Sequence, residues 1–171
     1  MEFGARADLW PQELKPVRSY LAATFPDQID EGAGFEIRTL SAERTFWEKV
    51  TILHAEHHRP RTGTFPARLS RHHYDLLMLF RSELGRKAAG NLALLARVVQ
   101  HKNIFFKSSW ANYESARPGT LKLAPPPHQI TALRSDYALM RDMFFSSPPS
   151  FEDVLDNLAE LEKLINNKKF N

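Results

Sequence analysis

Residues 41–58 read SAERTFWEKVTILHAEHH and carry the signals of the first long helix of the chain. Ser41 is a residue type that caps the first turn of a helix, and Glu43 places an anion where the helix dipole favours one. Pro60 stops the run, because proline cannot continue a helix. Apolar side chains recur at helical spacing, at Phe46, Val50 and Leu53. The pattern predicts a helix over residues 42–58 with one apolar face.

A short strand precedes this helix and further helices follow it. Apolar and polar residues alternate over residues 35–40, FEIRTL, which predicts a half-buried strand. Val17 to Leu21 fits either a strand or a single helical turn. Apolar spacing with Pro, Gly and Ser signals predicts helices over about 66–83, 87–100 and 129–144 and from Ser150 onward. The predicted fold is mainly α, with a short N-terminal β remnant, and α+β overall.

Composition excludes several classes of function. The 171 residues include no cysteine, which rules out a disulfide framework, a thiolate nucleophile and Cys-ligated zinc. No apolar run approaches the roughly 18 residues that span a bilayer, and the N-terminus lacks the pattern of a signal peptide. We therefore expect a cytoplasmic protein that does not contact the membrane.

Positive charge is concentrated in the middle of the chain. The formal net charge is only +3, but residues 49–73 contain five Lys or Arg against one acid, together with five of the seven histidines. No nucleophile elbow supports Ser-His-Asp hydrolysis, and no Gly-rich phosphate loop follows a strand. The basic, His-rich centre is the strongest functional signal in the composition.

His54 and His58 stand four residues apart, so both could reach one metal ion from a helix. The zinc-protease motif needs Glu directly after the first His, where this chain has Ala55. The inverted motif needs Glu directly before the last His, where it has His57. A basic, partly buried helix face is the favoured interpretation, and a zinc hydrolase is the weaker alternative.

Lys49 and Asp75 each have a functional and a simpler interpretation. Partial desolvation of Lys49 beside apolar neighbours would favour an anionic partner such as a phosphate, but a lone helix lysine is usually solvated. Asp75 follows Arg71 by four residues, which is the spacing of an ordinary exposed ion pair. Residues 105–110, FFKSSW, lie beside Lys102 and could stack on RNA bases, although core packing is the favoured interpretation.

Three runs of sequence carry a resemblance to a known family: residues 2–6 (EFGAR), 40–49 (LSAERTFWEK) and 71–76 (RHHYDL). Together they resemble the later part of the AbiEii/AbiGii-type nucleotidyltransferase toxins, over nearly the whole chain. That family is similar to polymerase-beta-like nucleotidyltransferases, in which a small mixed sheet is followed by a helical C-terminal region. The resemblance implies a remnant of the sheet with its connecting loop at residues 1–40 and a helical domain at residues 41–171.

The resemblance also implies an activity and residues that perform it. Members are toxins of bacterial toxin–antitoxin or abortive-infection systems that transfer a nucleoside monophosphate from a nucleoside triphosphate to an acceptor such as tRNA, with a cognate antitoxin as partner. Lys49 matches the lysine that holds nucleotide phosphates, and Arg71 is a further candidate for nucleotide binding. Asp75 matches the acid that activates or positions the acceptor hydroxyl, so Lys49 and Asp75 are the candidate catalytic residues. Glu2 matches a metal-binding carboxylate.

The sequence departs from the family at its beginning. The Gly-Ser turn and the Asp-x-Asp strand, which supply the phosphate cradle and two metal ligands, precede the first matched run in the family and are absent here. We therefore expect Mg to bind only if that missing motif is supplied, and we expect this chain alone to be inactive.

Four explanations of this departure stay open. The chain is a fragment, its start is misassigned, another polypeptide supplies the missing half, or it is a decayed toxin that only binds. In the last case the protein is a non-catalytic helical module that binds antitoxin or RNA, and the candidate contact residues are Arg59, Arg61 and Arg68.

Overall fold

The fold is taken from a computed structural model that describes residues 8, 10–29, 35–61, 65–144 and 146–168. The chain divides into two compact units, Met1–Ser41 and Ala42–Asn171. The fold class is confirmed: the structure is mainly helical, with a small two-stranded antiparallel sheet. In the described part of the chain, no helix is long and apolar enough to cross a membrane.

Within its described residues, the first unit contains two strands and one short helix. Strand β1 (Gln12–Val17) pairs antiparallel with β2 (Phe35–Leu40), in a register that places Gln12 opposite Leu40. Strand β2 has the predicted bounds. Residues 17–21, which fit either a strand or a helical turn, contain parts of both. Strand β1 ends at Val17, and helix α1 (Tyr20–Thr24) follows it with Ser19 as its N-cap. The run at residues 2–6 lies outside the described residues.

The second unit is built from helices. They are α2 (Ala42–His57), α3 (Ser70–Arg81), α4 (Glu83–Ala88), α5 (Leu92–Phe105), α6 (Pro127–Leu139) and α7 (Phe151–Asn166), with 3-10 turns at Tyr113–Ser115 and Arg141–Met143. Helix α2 packs against α3, α4 and α5. Its buried apolar side chains, at most 2% exposed, are Phe46, Trp47, Val50 and Leu53. The central helix predicted from the sequence therefore forms one side of the main core.

Helix α3 begins later than predicted, at Ser70 rather than about residue 66. Arg68 has a left-handed backbone with φ of 60°, so no helix runs through it. Leu69 occupies the cap position without a side-chain cap, and Asp136 of α6 caps α3 from outside instead. Pro66 therefore precedes the helix and is not part of its first turn.

The helix predicted at residues 87–100 corresponds to α5, which begins later, at Leu92, and ends at Phe105; residues 87 and 88 end a separate short helix, α4. Ser82 Oγ accepts a hydrogen bond from the Gly85 N–H at 3.1 Å, and Asn91 Oδ1 accepts one from the Leu94 N–H at 3.1 Å. Each helix therefore has its own N-cap. Gly85, expected to end a helix, lies inside α4, where a Cβ atom would come within 1.9 Å of the Leu79 carbonyl oxygen.

Candidate functional site

The structure brings Lys49 of α2 and Asp75 of α3 together. Lys49 Nζ donates a hydrogen bond to Asp75 Oδ2 at 2.6 Å. The Lys49 side chain is 19% exposed and the Asp75 side chain 40%, so the pair lies at the edge of the α2–α3 interface with access to solvent. A cation and a carboxylate that stand 26 residues apart in sequence therefore form one polar site on adjacent helices.

His72 is the third residue of this site. It lies on α3 three residues before Asp75 and on the same face of the helix. Its Nδ1 lies 3.1 Å from Lys49 Nζ. An ammonium group has only donors, so Nδ1 accepts the hydrogen bond and the ring proton of the neutral imidazole sits on Nε2. Burial, the largest cause, and the positive charges of Lys49 and Arg71 together lower the pKa of His72 to about 4. His72 is therefore neutral at neutral pH.

A second, more buried charge cluster lies next to the site. Glu48 Oε1 accepts hydrogen bonds from Arg44 Nε and Nη2 at 3.0 and 2.8 Å, and Lys102 Nζ lies 2.5 Å from Glu48 Oε2. Burial alone would raise the pKa of Glu48, but the charges and hydrogen bonds of Lys102 and Arg44 bring it below its usual value. Both oxygens of Glu48 are thus occupied, and this carboxylate does not compete with Asp75 for Lys49.

The surroundings differ among the three arginines proposed as contact residues (Arg59, Arg61 and Arg68) and Arg71, the candidate for nucleotide binding. Arg59 is engaged, because its Nε and Nη2 donate to Glu56 at 2.5 and 2.7 Å and its guanidinium lies 4.2 Å from the centre of the Trp110 ring. Arg61, Arg68 and Arg71 have exposed side chains. Arg68 and Arg71 flank the start of α3, the helix that carries His72 and Asp75.

Both ring nitrogens of His54 are occupied, which explains the histidine cluster without a metal. His54 Nδ1 accepts a hydrogen bond from the Lys122 N–H at 3.1 Å, and Nε2 lies 3.1 Å from both the Asn112 carbonyl oxygen and Ser115 Oγ. Burial lowers the pKa of His54 to about 4. The ring therefore holds α2 against the segment after α5.

The described residues also do not fit a magnesium site. Within residues 8, 10–29, 35–61, 65–144 and 146–168, no group of three or more His, Asp or Glu side chains is placed to hold a metal ion. Asp75 is paired with Lys49 and Glu48 with Arg44 and Lys102, so neither carboxylate is joined by a second one. Glu2, the predicted metal ligand, lies outside the described residues.

The aromatic segment after α5 is more exposed than expected. Phe105 is 45% exposed and Phe106 is 40% exposed, so core packing is the wrong interpretation for these two rings. Lys102 Nζ lies 4.3 Å from the centre of the Phe106 ring, and Arg59 covers Trp110. The segment therefore contributes cation–π contacts at the surface of the helical unit.

The sequence alone assigned no role at this site to His72, nor to the neighbouring cluster of Arg44, Glu48 and Lys102. His72 shares a helix face with Asp75 at i, i+3, and that spacing was a usable signal once Asp75 was chosen. Lys102 offered no comparable signal, since its contact with Glu48 depends on the packing of α5 against α2.

A comparison with protein families identifies the chain. The model of the family described as nucleotidyl transferase AbiEii toxin, type IV toxin–antitoxin system, matches residues 1–157 of the 171. No curated protein and no solved structure matches the chain. The match includes α2 and α3 and therefore every residue of the site that contains Lys49, His72 and Asp75. The chain belongs to the AbiEii family of nucleotidyltransferase toxins of type IV toxin–antitoxin systems.

Proposed function

We propose that this protein is part of a toxin that transfers a nucleoside monophosphate from a nucleoside triphosphate to an acceptor such as tRNA, with Lys49 and Asp75 as its catalytic residues. The observation that carries the proposal is the 2.6 Å contact between Lys49 Nζ and Asp75 Oδ2. It joins the two residues that match the family's phosphate-binding lysine and its last acidic motif.

Lys49 holds the phosphates of the nucleotide. The ammonium is partly desolvated and remains accessible, so a phosphate oxygen that reaches it replaces solvent with a charge-assisted hydrogen bond. Arg71, exposed at the start of α3, adds a second positive charge for the same phosphates. Phosphoryl-type transfer depends mainly on positioning and charge stabilisation, and these two cations supply both.

Asp75 orients the acceptor hydroxyl and takes its proton. It contacts Lys49 through Oδ2, and within the described part of the chain its Oδ1 receives no hydrogen bond. The acceptor oxygen attacks the α-phosphorus, the bond from that phosphorus to the oxygen bridging the β-phosphate breaks, and pyrophosphate leaves. The hydroxyl proton passes to Asp75.

The complete activity requires more than the described residues. Nucleotidyltransferases generally use a divalent metal, and we propose that magnesium binds only when the Asp-x-Asp motif is supplied together with Glu2. We expect no transfer by this polypeptide alone.

A transfer assay tests the proposal. The longest form of the protein made by its source cell is incubated with tRNA and each of the four α-labelled nucleoside triphosphates. We expect Lys49→Ala and Asp75→Ala each to lower transfer by about a hundredfold or more. Arg134→Ala, which removes one partner of an exposed ion pair with Glu152, is the control. Transfer that survives both site substitutions would refute the assignment.

The second candidate is a non-catalytic module that binds RNA or antitoxin. Exposed guanidinium groups at Arg61, Arg68 and Arg71 favour it, whereas Arg59 contributes less because Glu56 and Trp110 already engage it. RNA binding by these groups should weaken as salt rises. Neutralising Arg61 and Arg68 should then weaken tRNA binding, whereas neutralising Arg59 should change it less. Unchanged affinity in the Arg61 and Arg68 variants would exclude this surface.

A further inference from the structure

The ammonium of Lys49 is held at two points by one helix. Its Nζ lies 2.6 Å from Asp75 Oδ2 and 3.1 Å from His72 Nδ1. The two acceptors stand three residues apart on α3 and therefore project from one face about one turn apart. A lysine side chain has four rotatable bonds, and one hydrogen bond leaves its head free to swing. Two bonds to one rigid helix define where the head lies.

The two acceptors differ in charge, and this difference matters for a site that binds phosphate. Asp75 already offsets the positive charge of Lys49. A second carboxylate at position 72 would add another negative charge beside the phosphate and weaken its binding. A neutral imidazole accepts the hydrogen bond without adding negative charge. The low pKa of His72, about 4, is consistent with this neutral state.

The acidic neighbour of Lys49 on α2 does not orient its ammonium group. Glu48 precedes Lys49, but both its oxygens are occupied by Arg44 and Lys102. Lys49 is therefore oriented from α3, across the helix interface.

We propose that His72 is a positioning residue for the phosphate-binding lysine. His72 Nδ1 and Asp75 Oδ2 take two of the three N–H groups of Lys49 and leave the third for a phosphate oxygen of the nucleotide. This inference rests on the proposed function, because it assumes that Lys49 binds phosphate. It assigns His72 no contact with the reacting atoms.

Two substitutions at position 72 separate positioning from packing. His72→Asn keeps an acceptor oxygen near the place of Nδ1, whereas His72→Leu fills similar space without any acceptor. Calorimetric titration with inorganic tripolyphosphate, which carries the phosphates without a base, measures the affinity of each full-length variant. We expect His72→Leu to weaken binding about three- to tenfold, and His72→Asn to stay within about twofold of the unsubstituted protein. Lys49→Ala should weaken binding by at least about tenfold.

The outcomes distinguish the two proposals. If Lys49→Ala weakens binding and His72→Leu does not, His72 is not a positioning residue and the proposed function stands. If Lys49→Ala binds tripolyphosphate as the unsubstituted protein does, or if the unsubstituted protein does not bind it, Lys49 is not a phosphate ligand and the proposed function fails.

A measurement on the free protein keeps the inference testable even if His72→Leu does not fold. NMR of the side-chain nitrogens reports the tautomer of His72 and the mobility of the Lys49 ammonium. We expect the tautomer with the proton on Nε2, and an ordered ammonium signal that is retained in His72→Asn. A proton on Nδ1 of the neutral ring would overturn the inference.

Discussion

Asp136 of α6 caps the start of α3 through Ser70. Its Oδ2 accepts hydrogen bonds from the Ser70 N–H at 2.8 Å and from Ser70 Oγ at 2.5 Å, and its Oδ1 accepts one from the Arg68 N–H at 2.6 Å. The bond from the Ser70 N–H satisfies an amide group that the first turn of a helix leaves without a partner, and the bond from the Arg68 N–H fixes the segment just before the helix. Because α3 carries His72 and Asp75, this carboxylate anchors the helix that positions Lys49.

Removing this cap should destabilise the helical unit. We expect Asp136→Ala to lower the free energy of unfolding by about 1–2 kcal/mol, as the loss of a helix cap does. Urea denaturation measures the change, and Asp142→Ala, at an exposed position after α6, is the control. Equal stability of the two variants would show that the Asp136 bonds do not anchor α3.

The buried charge cluster should be far more sensitive than a surface ion pair. Glu48→Ala leaves the buried Arg44 and Lys102 without their shared carboxylate, and we expect it to lower the free energy of unfolding by about 3 kcal/mol. Glu152→Ala breaks the pair with Arg134, whose two side chains are more than half exposed, and should cost less than about 1 kcal/mol. Similar losses in the two variants would contradict the description of a buried cluster.

Stability should fall between pH 7 and pH 5 because three histidines are buried in the neutral state. Burial lowers the pKa values of His54, His72 and His73 to about 4, whereas an unfolded histidine titrates near 6.5. Over this interval the unfolded chain binds more protons than the native protein, so acid favours unfolding. We expect a loss of at least about 1 kcal/mol between pH 7 and pH 5.

The titration of the Glu48 and Asp136 carboxylates does not account for a change in the free energy of unfolding between pH 7 and pH 5. The pKa values of Glu48 and Asp136 are lowered by their partners, so their contribution to stability is present above about pH 4 and is lost only below it. Urea denaturation at pH 7, 6 and 5 measures the slope, and His128→Gln, at an exposed position, is the control. A free energy of unfolding that does not change from pH 7 to pH 5 would count against the neutral, buried histidines.

The sequence predicted features that depend on local chemistry. The alternation at residues 35–40 predicted β2, the apolar spacing from Phe46 to Leu53 predicted α2, and Ser150 is the N-cap of α7, with its Oγ accepting from the Asp153 N–H. The division between α4 and α5 also has a local cause, because Ser82 and Asn91 cap the two helices separately.

Features that depend on tertiary packing could not be predicted. The start of α3 is set by Asp136, which is 66 residues from Ser70 in sequence, and no local pattern reports such a cap. Helical periodicity placed Lys49 and Asp75 on helices without specifying how the helices pack. The family resemblance selected both residues, but the contact of His72 with Lys49 follows from the packing of α2 against α3.

Affinity labelling identifies the lysine that contacts the nucleotide phosphates. An acyl-phosphate derivative of a nucleoside triphosphate transfers its acyl group to a lysine beside the phosphates, and mass spectrometry identifies the modified residue. We predict that Lys49 is acylated, that an excess of unmodified nucleoside triphosphate prevents the reaction, and that Asp75→Asn changes the extent of labelling but not its position. Labelling of other lysines that competes with free nucleotide, while Lys49 stays unmodified, would contradict the account.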